Sequence, residues 1–269
     1  MIAPPRILAI AGSDSSGGAG IQADIKTITM LGGYAMTAIT AVTAQNTRGV
    51  AAIELLSPNM VGAQIDACLS DIGADAVKIG MLGSPQIASA VAERLDGLGI
   101  PIVFDPVIVA TSGSVLADRD TIAAFERLMA LATLTTPNLP ELEALSGLQL
   151  NGSETGLGDA AEIVMGRTDA RAMLAKGGHA WTDDLVADFL FWRSPEGYWR
   201  EMLFEHERIE TRHTHGTGCT LSSAIATYLG MGLDLPDSVG KARQFVRAAL
   251  LAAPGFGSGH GPLGHQAVR

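Results

Sequence analysis

Short apolar runs alternate along the chain with longer segments in which apolar residues recur every three or four positions. The first run, RILAIA at residues 6–11, is closed by Gly12. The glycine-rich stretch GSDSSGGAG follows, and then IQADIKTITMLGG, which has helical spacing. The pattern predicts a strand, a loop and a helix at the start of the chain.

The same alternation continues as far as residue 147. We expect strands at 34–45, 75–79, 102–104 and 133–138, and helices at 58–72, 85–98, 118–132 and 140–147. Strands that alternate with helices are typical of a mostly parallel sheet with helices on both of its faces. The pattern therefore predicts the α/β class.

The pattern changes between residues 184 and 211. Three strand-like pieces, 185–192, 197–204 and 207–211, follow one another without helices between them, which predicts an antiparallel edge of the sheet. Two helices, at 216–231 and 235–253, complete the pattern. Because neither a repeat nor a linker interrupts the chain, we expect one domain over residues 1–269.

Composition narrows the classes of function. The chain has 269 residues, of which 47% are hydrophobic, so it can bury a large core. Its net charge is -10 and its 18 Lys and Arg residues are dispersed, which argues against nucleic-acid binding. No leader or membrane-length apolar run is present, so we expect a cytoplasmic protein. Cys68 and Cys219, the two cysteines, form no CxxC pair.

A glycine-rich turn near residue 216 is the clearest candidate for chemistry. The segment HTHGTGCTLSSA places Gly216, Thr217 and Gly218 directly before a predicted helix that begins near Cys219. Free N–H groups at such a helix start bind anions, phosphate above all. The alternative is a turn needed only for packing the helix against the sheet, and the turn by itself leaves both open.

Two other patterns are weaker. GSDSSGGAG has the glycine spacing of a P-loop, but Gly18 and Ala19 stand where Lys and Ser or Thr are required. It remains a plain turn or a place where the backbone approaches a small ligand at the end of the first strand. His213, His215 and Cys219 lack the spacing of a zinc site and an evident fourth ligand.

Carboxylates follow two of the predicted strands. Asp105 ends the strand IPIVFD, and Asn138 and Glu141 lie in TPNLPE, where a strand meets a helix. Carboxylates and amides in this position can hold a hydrated Mg²⁺ beside phosphates. Glu141 alone also fits an ordinary acidic residue of a first helical turn.

Seven segments, in this order, resemble the hydroxymethylpyrimidine and phosphomethylpyrimidine kinases of the ribokinase-like superfamily. They span nearly the whole chain: IAGSDSSGGAGIQADIKT, ITAVTAQNTRGV, KIGML, FDPV, TPNLPE, KGGH and HGTGCTLSSA. The resemblance implies a three-layer α/β/α sandwich that forms a homodimer. It also implies transfer of the γ-phosphoryl group of ATP to 4-amino-5-hydroxymethyl-2-methylpyrimidine and then to its monophosphate, in thiamine biosynthesis.

The resemblance also assigns residues to the two substrates. The pyrimidine would contact Gln45 and Asp24, with Gly12, Met81 and Val107 around it, since an amide and a carboxylate can satisfy an aminopyrimidine edge. ATP would lie against the set Lys176, Asn138 and Glu141. Mg²⁺ would be held by Asp105 and Glu141, and the sequence leaves open whether a monovalent cation binds as well. Gly216 to Cys219 would surround the transferred phosphoryl group.

Cys219 departs from the superfamily pattern and agrees with the pyrimidine kinases. Most superfamily members resemble one another in a GxGD turn whose Asp deprotonates the attacking hydroxyl, and Cys219 stands at that position. A thiol at a helix start is favoured as thiolate, while neighbouring phosphates oppose this, so the sequence leaves its protonation open. Two other functions also stay open: a pyridoxal kinase on the same scaffold, and a non-catalytic pyrimidine-binding protein.

Overall fold

Nine strands form one mixed sheet in the computed structural model, which describes residues 3–108, 116–150, 154–177, 184–194 and 196–268. The strands are β1 (Arg6–Asp14), β2 (Tyr34–Asn46), β3 (Gly49–Leu55), β4 (Ala76–Ile79), β5 (Ile102–Phe104), β6 (Leu134–Thr135), β7 (Ala172–Lys176), β8 (Leu185–Arg193) and β9 (Trp199–Glu207). Their order across the sheet is β3-β2-β1-β4-β5-β6-β7-β8-β9.

The centre of the sheet is parallel and both of its edges are antiparallel. Strands β2, β1, β4, β5, β6 and β7 run in one direction. At one edge β7, β8 and β9 pair antiparallel, as the sequence predicts. At the other edge β3 pairs antiparallel with β2, which the sequence analysis missed. The third predicted piece of the meander, 207–211, is wrong, because β9 ends at Glu207 and no further strand follows among residues 208–211.

Helices cover both faces of the sheet. In the described part of the chain they are α1 (Gly20–Met30), α2 (Pro58–Asp71), α3 (Pro85–Leu95), α4 (Arg119–Leu131), α5 (Leu139–Ser146), α6 (Glu154–Thr168), α7 (Thr217–Gly230) and α8 (Leu235–Leu251), with a 3-10 turn at His265–Ala267. Helix α6 and strand β7 were not predicted. No helix among the described residues is both long and apolar enough to cross a membrane.

Two apolar clusters, one on each face, join the layers. Buried residues of α1, α7 and α8, such as Ile28, Ile225 and Val246, pack on one face of the sheet. Residues of α2 to α6, such as Ile65 and Phe125, pack on the other. The clusters confirm the predicted three-layer sandwich.

The parallel strands bring several polar residues to one edge of the sheet. Strands β4, β5 and β7 end at or just before the residues Met81, Asp105 and Lys176, and Gly12 lies two residues before the end of β1. Asn138, after β6, forms a parallel bridge with Lys176. In open α/β sheets, ligands bind outside the carboxyl ends of the strands. This edge is therefore the place for a site.

Candidate active site

A cavity of about 150 Å³ opens at this edge, between the strand ends and the first turns of α1 and α7. Most residues named from the sequence line it: Gly12, Gln45, Met81, Asp105, Val107, Asn138, Glu141, Lys176, Gly216, Gly218 and Cys219. The sequence analysis did not assign the other lining residues to a ligand: Ala11, Ser13, Asp14, Ala19, Gly20, Thr43 and Leu116. His215, considered from the sequence only as a metal ligand, also lines the cavity. The last two residues of the KGGH segment, 178 and 179, lie outside the described residues.

The α7 start forms an anion-binding turn. Gly216 adopts a left-handed conformation with φ of 88°, and a Cβ atom there would collide with the carbonyl oxygen of Gly18. Only glycine satisfies both constraints. Within the described part of the chain, the N–H groups of Gly218 and Cys219 have no backbone acceptor. They are therefore free to bind an anionic group of a ligand.

The side chain of Thr217 does not take part in this turn. Its hydroxyl donates to the carbonyl oxygen of Thr214 at 2.7 Å, and Thr217 does not line the cavity. Its contribution to the site is therefore limited to its backbone position at the first residue of α7.

Cys219 lies at the cavity wall as a protonated thiol. Burial raises the pKa of Cys219 to about 11, and the carboxylates of Asp24 and Asp105 act in the same direction. Lys78 and the N–H group of Gly20 oppose the increase without cancelling it. The helix start alone would favour thiolate. The surroundings therefore decide the sign that the sequence left open.

Asp24 lies behind the cavity wall, and the expectation that it contacts the pyrimidine is corrected. Its carboxylate is fully buried and accepts two hydrogen bonds from Lys78, at 2.8 and 3.0 Å. The hydroxyl of Ser223 donates to it at 2.7 Å. Buried carboxylates need such partners, and here the partners take the oxygens that a ligand would use.

The stacking of α1 and α7 places this buried pair beneath Cys219. Ser223 follows Cys219 by one helical turn, and Asp24 follows Gly20 by one turn, so each pair shares a helix face. Burial would lower the pKa of Lys78, but the negative charges of Asp24 and Asp105 outweigh burial and hold the pKa above its usual value. Lys78 is thus a fixed positive charge behind the thiol.

A second ion pair lies beside the α7 turn. Lys176 Nζ donates to Asp105 Oδ1 at 2.8 Å and lies 4.0 Å from Glu141 Oε2. The hydroxyl of Thr136 donates to Asp105 at 2.9 Å. Although burial opposes them, Lys176 and Lys78 hold the pKa of Asp105 below its usual value. Burial raises the pKa of Glu141 to about 7, so its charge is easily changed near neutrality.

Glu141 and Asn138 have a structural role as well. The side chain of Asn138 accepts from the N–H group of Glu141 at 2.9 Å, and the N–H group of Asn138 donates to Glu141 Oε2 at 2.8 Å. This is a capping box at the start of α5. It holds the carboxylate of Glu141 toward the cavity.

The loop after β1 is organised by Asp14, which the sequence analysis did not single out. Its carboxylate accepts from the N–H groups of Ser16, Gly18 and Ala19 and from His215 Nε2 at 2.8 Å. Burial alone would raise the pKa of Asp14, but these hydrogen bonds outweigh it and lower the pKa to about 2. An aspartate directly before SSGG, with amides two to five residues ahead, is the signal that could have identified it.

The apolar part of the cavity comes from Gly12, Met81 and Val107. A Cβ atom at Gly12 would lie 3.0 Å from the sulfur of Met81, so glycine lets the thioether lie close to the β1 backbone. The hydroxyl of Thr40 donates to the carbonyl oxygen of Met81 at 2.7 Å and fixes that turn. A flat apolar ring can pack here.

Comparison with known proteins identifies the family. The family model described as phosphomethylpyrimidine kinase matches residues 14–264. The chain belongs to the phosphomethylpyrimidine kinase family. A hydroxymethylpyrimidine/phosphomethylpyrimidine kinase from Rhizobium meliloti is 46% identical over 266 residues, covering 96% of each chain. Membership of this family makes the chain a phosphotransferase, as the sequence resemblance predicts.

Two further relatives extend this result. A thiamine biosynthesis bifunctional protein from Geobacter sulfurreducens is 46% identical over 96% of this chain, which spans only 52% of that relative. The solved ADP complex of Bacillus subtilis pyridoxal kinase has a TM-score of 0.88 at 31% identity, with 99% of both chains covered. The phosphomethylpyrimidine kinase family therefore shares its scaffold closely with a kinase of another vitamin.

Proposed function

We propose that the chain transfers the γ-phosphoryl group of ATP to 4-amino-5-hydroxymethyl-2-methylpyrimidine and then to the resulting monophosphate, in thiamine biosynthesis. The observation that carries this proposal is one cavity with the free N–H groups of Gly218 and Cys219 and Lys176 on one side and Gln45 on the other. In the first step the hydroxymethyl oxygen forms a bond to the γ-phosphorus and loses its proton to solvent, the bond from the γ-phosphorus to the β-phosphate oxygen breaks, and ADP leaves.

The phosphates fit the α7 side of the cavity. Phosphoryl transfer depends mainly on positioning and charge stabilisation, which amides and one ammonium supply. A Cβ atom at Gly218 would lie 3.4 Å from Asp105 Oδ2 and 3.5 Å from Lys176 Nζ, so the turn lies against this ion pair. Lys176 has three N–H donors, so it could bind a phosphate oxygen and keep its hydrogen bond to Asp105.

Asp105 and Glu141 fit a magnesium site. Within the described residues no group of three or more His, Cys, Asp and Glu side chains could hold a metal. One or two carboxylates are enough for Mg²⁺ when water and phosphates supply its other ligands. When bound, Mg²⁺ would neutralise charge on the phosphates. The carboxylate of Glu141, with a pKa of about 7, would be held in its charged form by such an ion.

The pyrimidine fits the other side of the cavity. Met81, Val107 and the backbone of Gly12 provide surfaces for the ring, and Gln45 provides polar atoms for its edge. Asp24 is left out of this contact set because its oxygens are occupied by Lys78 and Ser223.

Cys219 would lie next to the attacking hydroxyl. Because its pKa is about 11, the thiol is the resting form at neutral pH. A base role would therefore require the thiol to lose its own proton first. Loose transition states of phosphoryl transfer need little help from a base, so the amides and Lys176 would contribute more to the rate than the sulfur.

Assembly and location are parts of the same proposal. We propose one domain that forms a homodimer, is cytoplasmic and binds no nucleic acid. The β2–β3 edge supports a dimer, since Val42, Ile53 and Leu55 are exposed there by 50%, 38% and 42%. The continuous sheet supports one domain, and the net charge of -10 supports the absence of nucleic-acid binding.

The experiment is a coupled assay of ADP release with ATP, Mg²⁺ and either the hydroxymethylpyrimidine or its monophosphate. We expect turnover with both, and product analysis should show the monophosphate and then the diphosphate. Lack of turnover with both substrates would contradict the proposal. Turnover with the first alone would limit it to one step.

A pyridoxal kinase is the second candidate, favoured by the likeness to the Bacillus subtilis enzyme. The hydroxymethylpyrimidine and pyridoxal are compared by kcat/KM in the same assay. A large preference for pyridoxal would show that the main proposal is wrong and would favour a pyridoxal kinase. A non-catalytic binding protein is the remaining alternative. It would bind the pyrimidine with no ADP release, and Cys219→Ala would then bind the ligand as the parent does.

A further inference from the structure

Four side chains at the pyrimidine side of the cavity form one hydrogen-bonded series. His215 Nε2 lies 2.8 Å from Asp14 Oδ2 and 3.4 Å from one end of the Gln45 amide. The other end of that amide lies 3.1 Å from the hydroxyl oxygen of Thr43. All four side chains line the cavity, and only Gln45 is not buried. Its orientation therefore depends on the other three.

Proton accounting begins at Asp14. Its carboxylate accepts from three backbone N–H groups and the hydroxyl of Ser16, so it has no proton to donate. His215 Nε2 must then carry a hydrogen, since a bare ring nitrogen 2.8 Å from a carboxylate oxygen would be repelled. That hydrogen points at Asp14, so Nε2 cannot accept from Gln45 Nε2, which lies 3.4 Å away. Exchanging the two ends of the amide puts the carbonyl oxygen Oε1 there instead and removes this contact between two donors.

The opposite end of the amide leads to the same assignment. The hydroxyl of Thr43 has a single hydrogen, which is donated to the carbonyl oxygen of Ser13 at 3.0 Å. Thr43 also lies 3.1 Å from Gln45 Oε1, but its one hydrogen cannot serve both oxygens. Because the Ser13 oxygen can only accept, the exchanged amide, which puts the NH₂ group beside Thr43, lets both bonds form. Both neighbours thus favour the same orientation, in which no donor faces a donor and the Nε2 hydrogen of His215 lies nearer to Asp14 than to Gln45.

We propose that His215, held by Asp14, is a specificity-determining positioning residue that fixes the Gln45 amide in this orientation. One N–H group and one carbonyl lone pair of Gln45 then remain for a ligand. Together they match a ring edge with an acceptor nitrogen next to an amino group. The identity of that ring as an aminopyrimidine rests on the proposed function.

The test compares two ligands and three variants. The ligands are the aminopyrimidine alcohol and its 4-deamino analogue, whose affinities are measured by titration calorimetry. His215→Leu removes the donor at similar volume, whereas His215→Gln keeps an N–H group near the Nε2 position. His213→Leu, two residues away and outside the lining of the cavity, is the matched control.

We expect the parent to prefer the aminopyrimidine, because a polar site rejects a ligand that leaves its groups unpaired. His215→Leu should weaken binding of the aminopyrimidine about tenfold to a hundredfold and leave the analogue nearly unchanged. In turnover, KM should rise more than kcat falls. His215→Gln should recover most of the preference, and His213→Leu should keep all of it.

An unchanged preference in His215→Leu would overturn the inference, as would a loss of preference in His215→Gln equal to that in His215→Leu. A parent that binds neither ligand would instead contradict the proposed function. A second measurement does not depend on the folding of His215→Leu. Long-range ¹H–¹⁵N spectra of the parent, assigned with His215→Gln, should show the hydrogen on Nε2, and a hydrogen on Nδ1 alone would also overturn the inference.

Discussion

The protonation of Cys219 can be measured directly. At pH 8, a thiol with a pKa of about 11 is ionised in about one molecule in a thousand, against about one in ten at the ordinary value of 9.0. In a Cys68→Ser background, which leaves one thiol, alkylation by iodoacetamide should rise about tenfold for each pH unit from 7 to 10. A plateau below pH 9 would contradict the raised pKa.

Asp24 and Lys78 should move this titration in opposite directions. Asp24→Asn keeps the shape of the side chain and removes a negative charge near the sulfur, so alkylation at pH 8 should become about tenfold faster. Asp105 still faces Lys78 in this variant and helps to keep the ammonium charged. Adding Lys78→Met then removes the positive charge without leaving a carboxylate unpaired, and alkylation should slow by about tenfold.

Adding Lys78→Met to the Asp24→Asn variant distinguishes an effect of charge on the thiol from an effect of a loosened fold. A looser structure would expose the thiol and speed alkylation, whereas loss of the ammonium slows it. Arg6→Met with Asp75→Asn is the matched control, because this ion pair joins the same two strands, β1 and β4, at the ends that lie away from the site. Its loss should leave alkylation unchanged. If Lys78→Met speeds alkylation in the Asp24→Asn background, our account of the charge behind Cys219 is wrong.

Three further changes test other parts of the site. Lys176→Met should lower kcat by about a hundredfold or more, because it removes the ammonium aimed at the phosphates, and steady-state kinetics measure it; a change below threefold would refute this role. Gly216→Ala should lower the free energy of unfolding by more than about 2 kcal/mol in urea titrations, since φ is 88° and a Cβ atom meets the Gly18 oxygen; an unchanged midpoint would contradict it. Glu141 holds its proton more tightly when folded, with a pKa of about 7 against 4.5, so it costs stability as pH rises from 4.5 to 7. Glu141→Gln should flatten the pH dependence of the unfolding free energy in that range, and parallel curves would exclude this explanation.

The sequence predicts the parallel centre of the fold except β7, because most of its strands are apolar runs and its helices have strong start signals. Ser57, Ser84 and Asp118 each cap a helix as such residues do. Strand β3 gives no such signal, since all of its residues except the first two are exposed and no apolar alternation distinguishes it. It is defined by pairing with β2, which is a long-range contact.

The sequence predicts the α7 turn of the site better than it predicts the surroundings of Asp24. Gly216 and Cys219 lie in a local turn next to a helix, so nearby sequence is enough to place them. Asp24 could be placed on α1, but its partner Lys78 lies 54 residues away on another strand. The sequence pattern does not show that pairing, so the family resemblance was the only basis for assigning Asp24 to the pyrimidine.

The charges around the cavity bear on why a kinase of this kind would need a metal. Lys78 and Lys176 face three carboxylates, those of Asp24, Asp105 and Glu141, so the described side chains offer a phosphate ligand no excess of positive charge. The free amides of the α7 turn compensate part of the ligand charge. Glu141 can also lose its own charge, because its pKa lies near 7. A polyphosphate would still bring more negative charge than amides balance, and the remainder has to come from a cation that the ligand carries in. The carboxylates that weaken the binding of a phosphate without a cation would then become ligands of that cation. The proposed Mg²⁺ is therefore a condition for nucleotide binding as well as for phosphoryl transfer.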